Sequence, residues 1–282
     1  MKSLIKFLLD KFGVHLKKSI VIDLRGKVIH PLELVYQAEK TGVASSILIN
    51  IPVSKCRTQL WNTLENKKNP FVKTIIEYND CKTLDYNSTD IKVYYENFQP
   101  ESAAAFLRLE RNETLKEVPA YGYLLPWDTQ NINDTIKIRK RVALNENKKE
   151  GIRIGLSSGH TDFGPVSNEK GQVEFKRLTN VFEKIKENGY KEKPNLPDGG
   201  IKGYFLIGES GDWCFIIKSG KHRAYSLAAL GFAHIPVIVE TNIGIIKRLS
   251  DLPYWPQVKN EIFSEQEANL LFNNILNIEN QI

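Results

Sequence analysis

Hydrophobic and polar residues alternate along the chain with the periods of strands and helices. Short β-branched runs predict strands over Ser19–Asp23 and Ser46–Ile51. The helical spacing of the apolar residues between them predicts a helix over Leu32–Lys40, which ends at Gly42. This strand–helix–strand order permits a small mixed or parallel sheet in the first part of the chain.

The second half of the chain repeats this alternation more clearly. Glu174–Tyr190 carries an apolar stripe at helical spacing and is predicted to end at Gly189. Tyr204–Ile207 and Trp213–Lys218 are short apolar runs separated by turn residues, so they predict a β-hairpin. Near the C-terminus a capping pattern predicts a helix from Ser264, whose apolar stripe should pack on the rest of the chain.

A glycine turn joins the second strand of this hairpin to a short helix. Gly220 follows the apolar run, His222–Leu230 predicts the helix, and Gly231 ends it. Ile235–Glu240 then predicts another strand. A helix that begins directly after a strand presents free backbone N–H groups and the positive end of its dipole. The start of this helix is therefore a candidate anion site.

The residues at the turn suit a phosphate group. Gly220 lets a ligand approach the backbone, and Lys221, His222 and Arg223 bring charge to the same place. The guanidinium of Arg223 is suited to bidentate phosphate contact. A surface turn with solvated basic residues is the alternative interpretation. The strand before the turn and the helix after it favour phosphate binding.

The same stretch resembles the signature of the ParB/sulfiredoxin superfamily, in which a strand leads through a GxHR or GERR turn into a helix and another strand. Here Gly220–Arg223 reads GKHR and Ile235–Val239 reads IPVIV. Glu174–Tyr190 resembles the first helix of the family, so the resemblance covers residues 150–242. It implies that the turn holds the phosphates of a nucleotide, ATP or CTP, with Mg²⁺ carried in with them.

From this resemblance we expect an α+β fold. A ParB/sulfiredoxin-like mixed sheet with helices would form a nucleotide-binding domain over residues 146–248. Residues 1–145 would form an N-terminal α/β region of unknown role, and residues 249–282 a helical tail packed on the body. The basic stretch Thr135–Gly151 is the predicted boundary between the first two regions.

The first helix of the family contributes polar and basic residues to the nucleotide site. Carried over position by position, the resemblance implies this role for Arg177, Asn180 and Lys184, which share one helical face. A solvated charged face is the alternative interpretation, and for Lys184 it is the preferred one.

Phosphoryl transfer at the turn would need a base from elsewhere in the chain. The candidates are His160, Asp162 and Glu174, which lie just before the family-like helix or on it. His160 is the first choice because the ordinary pKa of histidine lies near neutrality, with a structural role in its turn as the alternative. The GxSxG pattern over Gly155–Gly159 does not favour a serine hydrolase, because the residues after it do not begin a helix.

The chain departs from the known branches of the superfamily. Lys221 stands where sulfiredoxin has its cysteine, which argues against peroxiredoxin repair. Ser219 stands where a free serine kinase of the superfamily has an aspartate, so a base shared with that kinase is in doubt. Residues 249–282 carry one lysine and five carboxylates and are too short for a helix-turn-helix module, so nucleic acid is not an expected partner.

These observations favour an enzyme that transfers a phosphoryl group from a nucleoside triphosphate to a small hydroxylated acceptor, a small-molecule kinase or related phosphotransferase. The arrangement of the whole chain faintly resembles proteins associated with surface-polysaccharide synthesis, which would make a sugar or glycan precursor the acceptor. The alternatives are a nucleotide-binding module without catalysis and a ParB-like regulatory or DNA-associated module.

Composition and charge bear on the cellular compartment of the protein, on metal binding and on membrane contact. The chain has 282 residues and a net charge of +6, and its three widely spaced cysteines predict free thiols in a reducing compartment, so we expect a cytoplasmic protein. Its five histidines lack paired spacing, so no built-in metal site is expected. Residues 1–18 predict a cationic amphipathic helix that either packs on its own domain or lies on an anionic membrane surface.

Overall fold

One mixed β-sheet forms the centre of the fold. The computed structural model describes residues 20–278, except 28–29, 35, 37–44, 59, 66–67, 150–158, 195, 197 and 241–243. In this part of the chain the sheet has eight strands. They are β1 (Ile20–Asp23), β2 (Ser45–Pro52), β3 (Cys56–Thr58), β4 (Asn62–Thr63), β5 (Lys202–Ile207), β6 (Trp213–Ser219), β7 (His234–Glu240) and β8 (Ile246–Arg248).

Helices cover both faces of this sheet, which makes the fold α+β, as expected. The α-helices are α1 (Pro70–Asp80), α2 (Asp90–Asn97), α3 (Ala103–Leu107), α4 (Glu113–Lys116), α5 (Ile132–Lys149), α6 (Asn168–Asn188), α7 (Lys221–Ala229), α8 (Pro256–Lys259) and α9 (Glu265–Leu276). Short 3-10 helices occur at Val53–Lys55, Tyr86–Ser88, Ala120–Gly122 and Leu249–Tyr254.

The sheet joins strands from distant parts of the chain. The strand order is β1-β2-β7-β5-β6-β3-β4, and β8 also pairs with β5. β1 and β2 are parallel, whereas β2 and β7 form an antiparallel ladder that runs from Ser46 opposite Glu240 to Pro52 opposite His234. β5 and β6 form the hairpin that the sequence predicts. The sheet therefore draws strands from both sides of the boundary predicted between residues 145 and 146.

The two faces of the sheet support two separate hydrophobic cores, because successive strand residues point to opposite faces. Phe205, Phe215 and Ile217 lie on the face that packs against α1, α2, α6 and α7. Leu206 and Ile216 lie on the opposite face, with α3 and α9. α6 and α7 thus share the first face, which brings the two family-like helices side by side.

The helix predicted over Glu174–Tyr190 begins earlier than expected, because a side-chain cap decides where it starts. The Ser167 hydroxyl accepts the N–H of Lys170, so α6 begins at Asn168 rather than Glu174. Ser102 caps α3 in the same way, and that helix begins at Ala103.

Other predictions are confirmed in the described residues. α7 and β7 occupy their predicted places, and Gly231 has φ 81° after the end of α7. α9 begins with the predicted capping box at Ser264 and Glu267. Its apolar stripe is buried: Ala268, Leu271, Phe272, Ile275 and Leu276. The cysteines are free thiols, with Cys56 and Cys214 buried and Cys81 exposed.

Some predictions fall wholly or partly outside the described residues. They concern the helix over residues 1–18, most of the helix over Leu32–Lys40, of which 32–34 are helical, and the GxSxG pattern up to residue 158. The stretch Thr135–Gly151, predicted as a boundary, is helical through residue 149 as part of α5. Among the described helices, none has both the length and the apolar character required to cross a membrane.

Candidate functional site

The turn between β6 and α7 requires glycine. Gly220 has φ 79°, a conformation that side chains rarely allow. A Cβ at this position would also lie 2.6 Å from the carbonyl oxygen of Gly200 and 2.9 Å from Cα of Ile201. The turn therefore packs directly on the chain that leads into β5. Because glycine provides no side-chain cap, the first N–H groups of α7 remain accessible to an external acceptor.

Lys221, the first residue of α7, forms an ion pair with a buried carboxylate. Its Nζ lies 2.5 Å from Oδ1 of Asp162, a residue that is only 5% exposed. Burial alone would raise the pKa of the Asp162 carboxyl, but the charges of Lys221 and Arg139, and that of His160 once it is protonated in acid, lower it to about 2. Asp162 is therefore anionic at neutral pH and lies beside the N-terminus of α7.

The turn that carries Asp162 is held rigidly by α2. Tyr94 Oη donates to the carbonyl oxygen of Asp162 at 2.6 Å, and Tyr95 Oη donates to that of Thr161 at 2.8 Å. The N–H of Asp162 donates to Nδ1 of His160 at 3.2 Å. These bonds fix the direction of the carboxylate through the backbone and leave its oxygens for charged partners.

His160 is a neutral, half-buried side chain. Its ring stacks on Phe163 with centroids 4.7 Å apart, and burial lowers the pKa of His160 to about 4. Because its Nδ1 accepts the Asp162 N–H, its own proton lies on Nε2. At neutral pH this histidine has no free lone pair with which to take a proton.

The Glu174 carboxylate is the second buried anion, with 1% of its side chain exposed. Oε1 accepts from Nζ of Lys170 at 3.2 Å and from Nη1 of Arg177 at 2.9 Å. Oε2 lies 3.6 Å from Nε2 of His222, and in the described residues it has no hydrogen-bond partner. A buried carboxylate is tolerated only with such compensating charges. Glu174 therefore pairs with two cations of α6 and lies beside His222 at the start of α7.

Burial also keeps His222 neutral. It lowers the pKa of His222 to about 4, although the neighbouring Glu174 carboxylate acts in the opposite direction. The ring is 18% exposed and tilts against Tyr225 one turn further along α7. His222 thus contributes shape to the site at neutral pH, and no charge.

Arg223, the third residue of α7, faces the chain before β5. Its Nη2 donates to the carbonyl oxygen of Asp198 at 2.7 Å, and Nη1 donates to that of Gly200 at 3.4 Å. The three consecutive side chains of the GKHR turn thus contact three different elements. The guanidinium is partly exposed and retains donors that point away from these carbonyls.

The site has an excess of positive charge. Four cations, Lys170, Arg177, Lys221 and Arg139, lie around the two carboxylates, and the two histidines are neutral, so these groups together carry a net charge of +2. Arg223 adds a further positive charge at the turn. Two of these cations were not predicted as site residues. Lys170 is 3% exposed and lies one turn before Glu174, whereas Arg139 comes from α5.

The structure brings most of the predicted site residues together. Asp162 meets Lys221, and Glu174 meets both His222 and Arg177. Asn180 and Lys184 are exposed on α6. Lys184 lies ten residues beyond Glu174, a distance of about 15 Å along the helix axis. The structure therefore does not place Lys184 beside the turn.

Comparisons of this chain with protein-family models, with curated proteins and with solved structures find no match. Its function is therefore inferred from the chemistry of the site.

Proposed function

We propose that the chain binds the phosphates of a nucleoside triphosphate, ATP or CTP, at the turn between β6 and α7, and transfers the terminal phosphoryl group to a small hydroxylated acceptor. One observation carries this proposal: the cation at the start of α7 is in direct contact with a fixed, buried carboxylate, Lys221 with Asp162. A phosphate-binding group and a proton acceptor thus lie at the same point. A sugar or glycan precursor is the acceptor we favour.

Three features support phosphate binding at this turn. The N-terminus of α7 offers backbone N–H groups and the positive end of a helix dipole. Gly220 leaves the backbone unobstructed by a side chain, and the surrounding groups carry a net charge of +2 by the count above. Mg²⁺ would enter with the phosphates and neutralise part of their charge.

The finer fold assignment is also a proposal. We infer a ParB/sulfiredoxin-like arrangement because β6, the GKHR turn, α7 and β7 follow one another as in that superfamily, with α6 packed beside α7. In such an arrangement the turn would be the nucleotide site.

In the transfer step, the acceptor hydroxyl gives its proton to the Asp162 carboxylate while its oxygen attacks the terminal phosphorus. The bond between that phosphorus and the bridging oxygen breaks, and the nucleoside diphosphate leaves. Asp162 suits this role better than His160, because His160 is neutral with a pKa of about 4 and its Nδ1 already accepts a hydrogen bond. A weak carboxylate base is sufficient where positioning and charge stabilisation dominate.

Glu174 has a positioning role in this proposal. Its contacts with Lys170, Arg177 and His222 hold cationic groups of α6 and the first turn of α7 in one arrangement. Lys221 is paired with Asp162, so the incoming phosphates must attract Lys221 away before the carboxylate can orient an acceptor.

A nucleotide-binding module without catalysis is the second candidate. Both carboxylates of the site are engaged by cations, Asp162 by Lys221 and Glu174 by Lys170 and Arg177. Such pairs also occur where charges only hold elements together. The two candidates share the nucleotide site and differ in whether Asp162 accepts a proton.

Turnover of Mg·ATP and Mg·CTP by the full-length protein distinguishes these candidates. Release of nucleoside diphosphate is measured with and without simple sugars, for the wild type and for Asp162→Asn. The kinase proposal expects turnover that Asp162→Asn lowers by about 10²-fold or more without loss of nucleotide binding. Binding without turnover in the wild type would support the module, and absence of binding would contradict both.

A further inference from the structure

Arg139 is a cation of the site that the transfer step leaves without a role. It lies on α5 and is half-buried. Its guanidinium carbon is 4.4 Å from the centre of the Tyr123 ring, a cation–π contact. In the described part of the chain, this guanidinium forms no ion pair with a carboxylate. The guanidinium also hydrogen-bonds the Tyr123 side chain. Because a guanidinium has five N–H donors, this bond leaves others for an anion.

A row of packed aromatic rings connects Arg139 to the Asp162 turn. Tyr123 packs on Phe106 with ring centroids 4.3 Å apart, and Phe106 packs on Phe163 at 5.4 Å. Phe163 in turn stacks on His160, two residues before Asp162. Because these rings are in close contact, the position of Arg139 relative to the Asp162 carboxylate is fixed by packing.

Arg139 and Asp162 are near each other without being paired. The positive charge of Arg139 contributes to the low pKa of Asp162, yet the two side chains make no ion pair, whereas Lys221 does. A bound molecule with a hydroxyl group at one end and an anionic group at the other can contact both residues at once. The carboxylate would accept from the hydroxyl, and the guanidinium would donate to the anionic group.

Building on the proposed function, we infer that the acceptor is itself an anion, a hydroxylated compound with a carboxylate or phosphate group, and that Arg139 binds this group. The site would then hold two anions at separate places, the nucleotide phosphates at α7 and the acceptor at α5. Neutral sugars and polyols would be poor acceptors because they leave the Arg139 guanidinium without its partner.

Calorimetric titration of matched pairs tests this inference. Glycerol 3-phosphate is compared with glycerol, and galacturonate with galactose, using the full-length protein with and without saturating Mg·ADP. We expect the anionic member of at least one pair to bind about tenfold more tightly or better. Arg139→Gln should abolish this preference, and Arg139→Lys should retain part of it. Arg141→Gln, an exposed position on the same helix, is the matched control and should change nothing.

The outcomes separate this inference from the proposed function. Titration of Mg·ADP alone with the wild type tests the nucleotide site separately from the anion site. If no anionic compound binds better than its neutral partner, or if Arg139→Gln keeps the preference, the inference is overturned even when Mg·ADP binds. If Mg·ADP fails to bind while the anion preference depends on Arg139, the proposed nucleotide function fails and the anion site remains.

Discussion

Two buried cationic regions of this protein differ in the partners that the chain provides. Arg57, which is 3% exposed, donates to carbonyl oxygens of the backbone. These belong to Ser54 and Cys56 beside it and to Ile275 and Leu276 at the end of α9. Three of the cations around α7, Lys221, Lys170 and Arg177, instead contact the side-chain carboxylates of Asp162 and Glu174.

The kind of acceptor, backbone carbonyl or side-chain carboxylate, indicates in which region a cation can exchange its partner for a ligand. Backbone carbonyls at a helix end cannot leave without unfolding the helix, so Arg57 joins β3 to α9 permanently, and it benefits from the negative end of the helix dipole. The Lys221 ammonium contacts a carboxylate beside a glycine turn and a free helix N-terminus. A phosphate can replace that carboxylate as the partner of Lys221, because both are anionic acceptors.

The largest expected effect of a single substitution comes from removing the Glu174 charge. Glu174→Gln leaves Lys170 and Arg177 without their carboxylate, so the free energy of unfolding in urea should fall by about 3–5 kcal/mol. The excess positive charge should at the same time strengthen Mg·ATP binding.

Arg57→Met is the matched change in the other region. It should lower stability by about 2–4 kcal/mol through unsatisfied carbonyls and lost bonds, but leave the affinity for Mg·ATP unchanged. If Glu174→Gln and Arg57→Met changed the affinity for Mg·ATP equally, the claim that only the α7 region binds nucleotide would be contradicted.

The second effect is a loss of stability in mild acid, which arises in the α7 region. His160 and His222 have pKa values lowered from 6.5 to about 4 by burial. Between these values the unfolded chain binds a proton that the folded chain does not, so stability is complete above pH 6.5 and falls as the pH drops toward 4. The slope should be about 1.4 kcal/mol per pH unit for each histidine.

Urea unfolding at several pH values measures this slope. His222→Gln should reduce it by about half. His234→Gln, at an exposed position, is the control and should leave it unchanged. A flat stability profile between pH 6.5 and 4.5 in the wild type would contradict the burial of the two rings as neutral groups.

The third effect concerns competition for Lys221. Asp162→Asn removes the carboxylate that is paired with the Lys221 ammonium. Mg·ATP should therefore bind about tenfold more tightly, even though phosphoryl transfer is lost. Titration calorimetry on the wild type and the variant gives this ratio. A weaker or unchanged affinity would indicate that the Lys221–Asp162 pair is a fixed structural contact like that of Arg57.

The smallest effect is expected on the outer part of α6. Asn180→Ala and Lys184→Ala should change stability and Mg·ATP affinity by no more than about 0.5 kcal/mol, because both side chains are exposed. Arg177→Ala, on the same helix, should weaken nucleotide binding. It should also lower the stability of the protein, because the buried Glu174 carboxylate loses one of its cationic partners. If Lys184→Ala weakened binding as strongly as Arg177→Ala, the nucleotide would extend further along α6 than the proposal allows.

The sequence predicts the secondary structure around the site because each element depends on residues that are close together in the chain. β6, Gly220 and α7 follow from a short apolar run, a glycine and a helical pattern within seventeen residues, from Trp213 to Ala229. The helix N-terminus and its charged residues are visible in the same stretch. This explains why the strand, the glycine turn and the helix after it were correctly predicted.

Long-range contacts were not predictable in the same way. Nothing in the sequence of β2 indicates that it pairs with β7, almost two hundred positions away. Lysine is rarely buried, so the burial of Lys170 has no sequence signal except its spacing from Glu174. Arg139 lies in a stretch interpreted as a domain boundary, and its proximity to Asp162 depends on how α5 packs against the Asp162 turn.

Hydrogen exchange with and without Mg·ATP tests the central claim most directly, because it needs no substitution and reports where the nucleotide binds. The account predicts slower exchange in the peptide that covers the end of β6 and the first turn of α7, around Lys221–Arg223, and no change in α9. Slower exchange confined to other segments, or none at saturating nucleotide, would contradict a phosphate site at this turn.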